Sequence, residues 1–157
     1  MQPSILKKLI ETVGHIPNPE TRPKRCRAIV FNLEGTKILG IGRIRPGRDP
    51  YVVYPGGGLE EYDSSAKDGV WRELGEELGL TQEQVQLTDS VIDLDGEFFY
   101  LGYAPVDIDG LTIGVPEAES NESSGQYLPG WYTIPDLIDF NTLPVEVSQI
   151  LVDANEQ

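Results

Sequence analysis

Three glutamates, Glu73, Glu76 and Glu77, stand within five residues of one another. On a helix they fall within about a 100° arc. Val70, Trp71, Leu74 and Leu78 fall on a separate arc that can enter a core. Carboxylates gathered on one helix edge repel one another unless a positive group holds them. Their oxygens suit a hard divalent cation such as Mg²⁺, which keeps several waters and shares its ligands with substrate phosphates. Arg72 directly precedes the first glutamate, the turn Pro55-Gly56-Gly57-Gly58 leads toward the helix, and Gly79 closes it.

The stretch from Pro55 to Leu80 resembles the Nudix box, the signature of the Nudix hydrolases. That box has a glycine, five residues, a glutamate, seven residues, and then Arg-Glu-apolar-x-Glu-Glu-x-Gly-apolar. Arg72 to Leu80 matches the second half at every specified position, and the first half departs from the pattern. Aligned on Pro55-Gly56-Gly57, Asp63 stands where glutamate is expected, with eight residues before Arg72. Counted back from Arg72, the position falls on Ser64. The alignment with Asp63 and one inserted residue is preferred, because it keeps both the turn and an acid. An insertion is expected in the turn before Ser65, since one inside the helix would rotate its parts by about 100°.

The resemblance implies hydrolysis of a diphosphate linkage in a nucleoside diphosphate derivative, with Mg²⁺, or Mn²⁺ in its place. Glu73, Glu76 and Glu77 and the carbonyl of Gly56 would ligate the metal, and Arg72 would pair with an acid of the box. The general base would be a box glutamate or one of Glu117, Glu119 and Glu122, which lie on a late loop ahead of Trp131. Arg43, Arg45 and Arg48, with Tyr51, lie just upstream of the glycine turn and would contact substrate; an arginine fork suits phosphate. Tyr51, Tyr54, Phe98, Tyr100 and Tyr127 are candidates to stack on a base, with core packing the better reading for most. Nucleoside triphosphates, ADP-ribose, nucleotide sugars and dinucleoside polyphosphates all remain open as substrates. Two other readings stand beside this one: a Nudix-like module that binds a nucleotide or ADP-ribose without cleaving it, and a scaffold whose N-terminal helix recruits a partner.

Elements must position these residues. Apolar positions Ile5, Leu6, Leu9, Ile10 and Val13 predict an amphipathic helix over 4–13, with Ser4 as its cap. A proline-rich connector spans 16–24. Strands are expected at 26–33 and 37–44 around a turn at Glu34-Gly35-Thr36, and at 51–54. The box helix is expected over 65–78. A second hairpin joins 85–93 to 97–106 around Asp95-Gly96. A polar loop over 107–130 is unusually long and therefore a functional candidate. A strand at 131–134 and a closing helix at 144–154 complete the reading. This mixture predicts an α/β (α+β) fold; the resemblance narrows it to a mixed sheet sandwiched between helices, with an extra N-terminal helix.

The chain has 157 residues, 39% hydrophobic and 24% charged. That bounds it to one soluble domain over 1–157, with 1–24 as N-terminal helix and connector. No apolar run is long enough to cross a bilayer, and the first residues lack the apolar core of a signal peptide. A single cysteine, Cys26, is expected to be buried and inert, fitting a reducing cytoplasm. The one histidine, His15, rules out a histidine-rich zinc site. Residues 1–72 carry 12 basic and 8 acidic side chains, and the remainder carries 18 acids and no base. A long nucleic acid, bound mainly through phosphate neutralisation, would be repelled. A small nucleotide is the better partner, and a homodimer is compatible with the sequence.

Overall fold

The computed structural model describes residues 2–108 and 125–157. Its elements, in chain order, are α1 (Ser4–Thr12), β1 (Arg25–Phe31), β2 (Lys37–Ile44), β3 (Tyr51–Val53), β4 (Gly56–Gly58), α2 (Ala66–Leu78), β5 (Gln86–Leu94), β6 (Glu97–Tyr103), β7 (Gln126–Thr133), β8 (Thr142–Leu143) and α3 (Val145–Asn155), with a short 3-10 turn at Ile134–Asp136. The fold is the expected mixed α+β arrangement.

The sheet is curled because its first hairpin splays. β1 and β2 share the pair Phe31↔Ile38 and then diverge. The vacated edge of β1 is taken by β4, that of β2 by β3. The other edges pair with β6, in parallel, and with β7, antiparallel. The strand path therefore runs β5-β6-β1-β2-β3-β8, with β4 beside β1 and β7 beside β2. β3 and β4, joined by Tyr54-Pro55, cross the opening of the splayed hairpin and carry the glycine turn into it.

Helices cover both faces, as the alternation of side chains along a strand requires. Along β1, Cys26, Ala28 and Val30 join a core with Val70, Leu74 and Leu78 of α2. Ile29 and Phe31 join the opposite core with Ile5, Leu6 and Leu9 of α1 and Val147 and Leu151 of α3. Tyr54 lies in this second core, fully buried, its hydroxyl 2.7 Å from Ser148 Oγ. Phe98 and Tyr100 are also buried, as core packing predicts.

Several expectations shift in detail. Pro3, not Ser4, is the cap position of α1, and no side chain caps that end. The Pro-Gly-Gly-Gly turn is in part a strand, because pairing with β1 straightens it. The expected loop ends early: residues 126–130 extend β7, since its partner β2 is in register along all eight positions from Lys37↔Thr133 to Ile44↔Gln126. Glu117, Glu119 and Glu122 lie outside the described residues.

Leu74 is fully buried between α2 and the sheet. Leu74→Ala should lower the unfolding free energy by about 2–5 kcal/mol, transfer and cavity together. Urea denaturation checks this, and a loss under about 1 kcal/mol would mean that α2 is not anchored there.

Candidate active site

Local signals fix the ends of α2. The hydroxyl of Ser65 accepts from the Asp68 amide at 3.1 Å, and Gly79, at φ 66°, closes the helix in the left-handed conformation. The helix runs unbroken between them, so the extra residue lies in the turn 60–64, where it was expected.

That turn brings Asp63 against Arg72. Arg72 Nε donates to Asp63 Oδ1 at 2.9 Å and Nη2 donates to Oδ2 at 3.1 Å, a bidentate fork. The Asp63 amide donates to the Glu60 carbonyl at 3.1 Å, and the Glu60 amide returns a bond to Asp63 Oδ2 at 2.8 Å. Ser64 is exposed. The preferred alignment therefore stands: the shorter acid reaches the arginine because the turn carries it inward. The Asp63 side chain is only 4% exposed. Hydrogen bonds from Arg72 hold its carboxyl below the usual aspartate value despite burial, with the Glu60 amide assisting. The same bonds hold the Arg72 guanidinium above its usual value.

Arg72 also reaches the acidic edge of its own helix. Its Nη1 donates to Glu73 Oε1 at 3.0 Å and Glu76 Oε2 at 3.3 Å, and its Nη2 donates to the Gly58 carbonyl at 3.2 Å. Glu77 Oε1 accepts from the Gly56 amide at 2.8 Å. Gly56 and Gly58 of β4 thus turn polar backbone groups toward α2. A Cβ on Gly57 would lie 3.2 Å from the Glu73 carboxylate. Gly56 has φ 141°, and a Cβ there would fall on the Cys26 carbonyl and the Arg27 backbone.

These donors are of the type that a hard divalent cation takes. All are carboxylate or carbonyl oxygens, and the missing side chain at Gly57 leaves room beside Glu73. Among the described residues, no three acidic, histidine or cysteine side chains are gathered closely enough to hold a metal ion. Arg72 draws Glu73 and Glu76 one way, and the Gly56 amide draws Glu77 another. Mg²⁺ can take one or two carboxylates and complete its shell with water and phosphate.

The candidate substrate residues separate. Arg43, on β2, is flanked in register by Tyr51 on β3 and Tyr127 on β7. It shares the sheet face of Leu39 and Ile41, the face that α2 covers. Its guanidinium carbon lies 3.9 Å from the centroid of the Tyr127 ring, while its buried Nε has no hydrogen-bond partner. Arg45 and Arg48 lie beyond the end of β2 and are exposed. Arg48 stacks on buried Tyr51 at 3.9 Å from its centroid. Tyr127 is the aromatic that sequence reasoning under-weighted, because its segment read as loop. Cys26 is fully buried, its thiol pushed up to about 11 by desolvation and then by Asp63 and Glu73. Its burial is as expected.

The family model of the NUDIX domain matches residues 21–148. No curated protein matches the chain. Among solved structures, MutT, from work on the proteins of Aliivibrio salmonicida and Vibrio cholerae, aligns at 23% identity with a TM-score of 0.57, covering 84% of this chain and 98% of that one. The Ap4A hydrolase of C. elegans aligns at 16% identity and TM-score 0.61, covering 85% and 96%. A Nudix hydrolase of M. smegmatis, RenU, aligns at 14% and 0.58, covering 86% of each. At these identities the likeness speaks for the fold.

The Asp63–Arg72 pair sets a pH dependence. A carboxyl held low in the folded state stabilises fully above its unfolded value of about 3.9 and loses that contribution as pH falls through the folded value. Asp63→Asn should cost roughly 1.5–3 kcal/mol at neutral pH. The gap between wild type and variant should stay constant above about pH 5 and shrink below about pH 4. Chemical denaturation across pH 2.5–7 checks this; a gap that widens toward acid would refute the pairing.

Proposed function

The chain belongs to the Nudix family and is a pyrophosphohydrolase of that family, and on that premise we propose that it hydrolyses a diphosphate linkage in a small nucleoside diphosphate derivative with Mg²⁺ held at the C-terminal half of α2. We read the whole chain as one such domain. The observation that carries the reading is the union of Glu73, Glu76 and Glu77 with the glycines of β4 around Arg72.

Glu73, Glu76, Glu77 and the Gly56 carbonyl would hold the metal. When bound, it neutralises diphosphate oxygens and makes attacking water more acidic. The residues of this chain prepare the ground for that chemistry. Arg72 fixes the helix edge against β4 and the turn, so the glutamates keep their places as substrate enters. Arg43 would bind phosphate oxygens, with Arg45 or Arg48 contributing from the exposed turn. Tyr51 and Tyr127 hold these arginines flat by cation–π contact. The proton of the attacking water would pass to a box glutamate or to one of Glu117, Glu119 and Glu122.

Nucleoside triphosphates, ADP-ribose and nucleotide sugars belong on a substrate panel. The name of the C. elegans neighbour, Ap4A hydrolase, adds a dinucleoside polyphosphate. No helix among the described residues is long and apolar enough to cross a membrane. A single buried thiol agrees with a cytoplasmic setting. A metal-free nucleotide sensor would need no such row of carboxylates, which disfavours a pure binding module.

Activity should require Mg²⁺ or Mn²⁺ and stop with EDTA. Glu76→Gln and Glu77→Gln should each lower kcat by a factor on the order of 10² or more with the fold intact. Phosphate release across the panel measures this, and full activity in both variants would remove the glutamates from the site. Arg43→Ala should raise KM more than it lowers kcat, because it removes substrate binding rather than chemistry. Unchanged KM would place the β2 arginine outside the substrate path.

A further inference from the structure

We propose that Arg22, which lies outside the Nudix box, is a positioning residue for the reaction: it clamps the lengthened turn 60–64 so that Asp63 meets Arg72. Arg22 Nη2 donates to the Glu60 carbonyl at 2.8 Å and Nη1 donates to the Asp63 carbonyl at 2.9 Å. One guanidinium thus spans the first and fourth residues of the turn. The inner groups of the same turn are satisfied by each other, through the Asp63 amide to the Glu60 carbonyl and the Glu60 amide to Asp63 Oδ2. The backbone of Asp63 is held from outside by Arg22, and its carboxylate is held from inside by Arg72.

The need for this clamp follows from the departure in the box. Aspartate is one methylene shorter than the glutamate of the family pattern, and the turn is one residue longer. An aspartate on a longer turn must be carried toward the helix by its backbone. Arg22 can do so because its own base is anchored. Pro23 beside it is buried, and the Lys24 carbonyl accepts from the Leu59 amide at 3.1 Å. The chain then enters β1, which pairs with β4 from Arg25↔Gly58. The positive charge of Arg22 also favours the ionised form of Asp63. The path of influence runs from Arg22 to the turn, to Asp63, to Arg72, and so to Glu73 and Glu76.

The inference rests on the metal-hydrolase reading, and its test has one arm that does not. In metal-free protein, the Arg72 Nε–H should give a protected NMR resonance that is lost in Asp63→Asn. Arg22→Ala should lose or broaden the same resonance, and Arg22→Lys should keep it in part. In the active protein, Arg22→Ala should raise the Mg²⁺ concentration for half-activation by about tenfold, as loss of an outer positioning partner does, with KM changed less. Arg22→Ala added to Asp63→Asn should have no further effect, since both break one path. An unchanged Arg72 resonance in Arg22→Ala, or effects of the two substitutions that simply multiply, overturns the assignment. Should no panel compound be hydrolysed, the enzymatic reading fails while the resonance still decides the clamp.

Discussion

The architecture of the site depends on one guanidinium. Arg72 directs its planar set of N–H donors at Asp63, Glu73, Glu76 and the Gly58 carbonyl. It thereby ties three separate pieces of chain, the turn, β4 and α2, into one rigid corner. A lysine could neutralise a charge there, but its three donors radiate from one atom and lack the fork that matches a carboxylate. The pairs differ in weight. Asp63 is buried and its fork is worth real stability, whereas the Glu76 side chain is 56% exposed and its contact with Arg72 contributes little. Arg72 therefore anchors on Asp63 and steers the glutamates from there.

That corner closes only because side chains are missing where backbones meet. Gly69, in the middle of α2, gives up about 1 kcal/mol of helix propensity relative to alanine. A Cβ there would meet Leu59 at 2.6 Å, Asp63 Oδ2 at 3.1 Å and Cys26 Sγ at 3.3 Å. The glycine lets the turn lie directly on the helix, so the short acid can reach Arg72. Gly56 does the same between β4 and β1. Both sacrifices of local preference fall where the proposed chemistry is assembled, and the ordinary strands and helices around them stabilise the fold.

Legibility in the sequence followed the strength of local patterns. α2 was readable to within a residue, because Ser65, Gly79 and an apolar arc agree. β2 was readable at both ends, because Lys37–Ile44 is apolar and flanked by turn residues. β7 was half hidden: Gln126, Pro129 and Gly130 spoil its alternation, and only pairing with β2 makes the segment a strand. The same hidden strand concealed Tyr127 as the partner of Arg43. Arg22 had no signal at all, since its targets are backbone carbonyls about 40 residues away, and carbonyls leave no trace in a pattern of side chains. Asp63 lay between these cases. The box spacing pointed near it, and geometry chose it over Ser64.

Charge explains why such a corner would take a cation rather than merely tolerate its acids. Asp63, Glu73, Glu76 and Glu77 stand against Arg72, a local excess of three negative charges, and no base follows Arg72 in the chain. The last turn of α2 carries no basic residue, so Glu76 and Glu77 sit at the negative end of the helix macrodipole, each at a cost of about 0.3–1 kcal/mol. Arg72 already gives its five N–H donors to five acceptor oxygens and cannot answer a diphosphate as well. A bare polyphosphate would be repelled, while a divalent ion entering first, or together with the substrate, converts repulsion into attraction. Arg43 lies on the sheet face that α2 covers, and under the proposed function it would meet phosphates that the metal does not cover. The division is physically required. An arginine that must hold an acidic helix in place cannot also bind the substrate, so under the proposed function Arg72, with Arg22 behind it, would serve the frame and other arginines the phosphates.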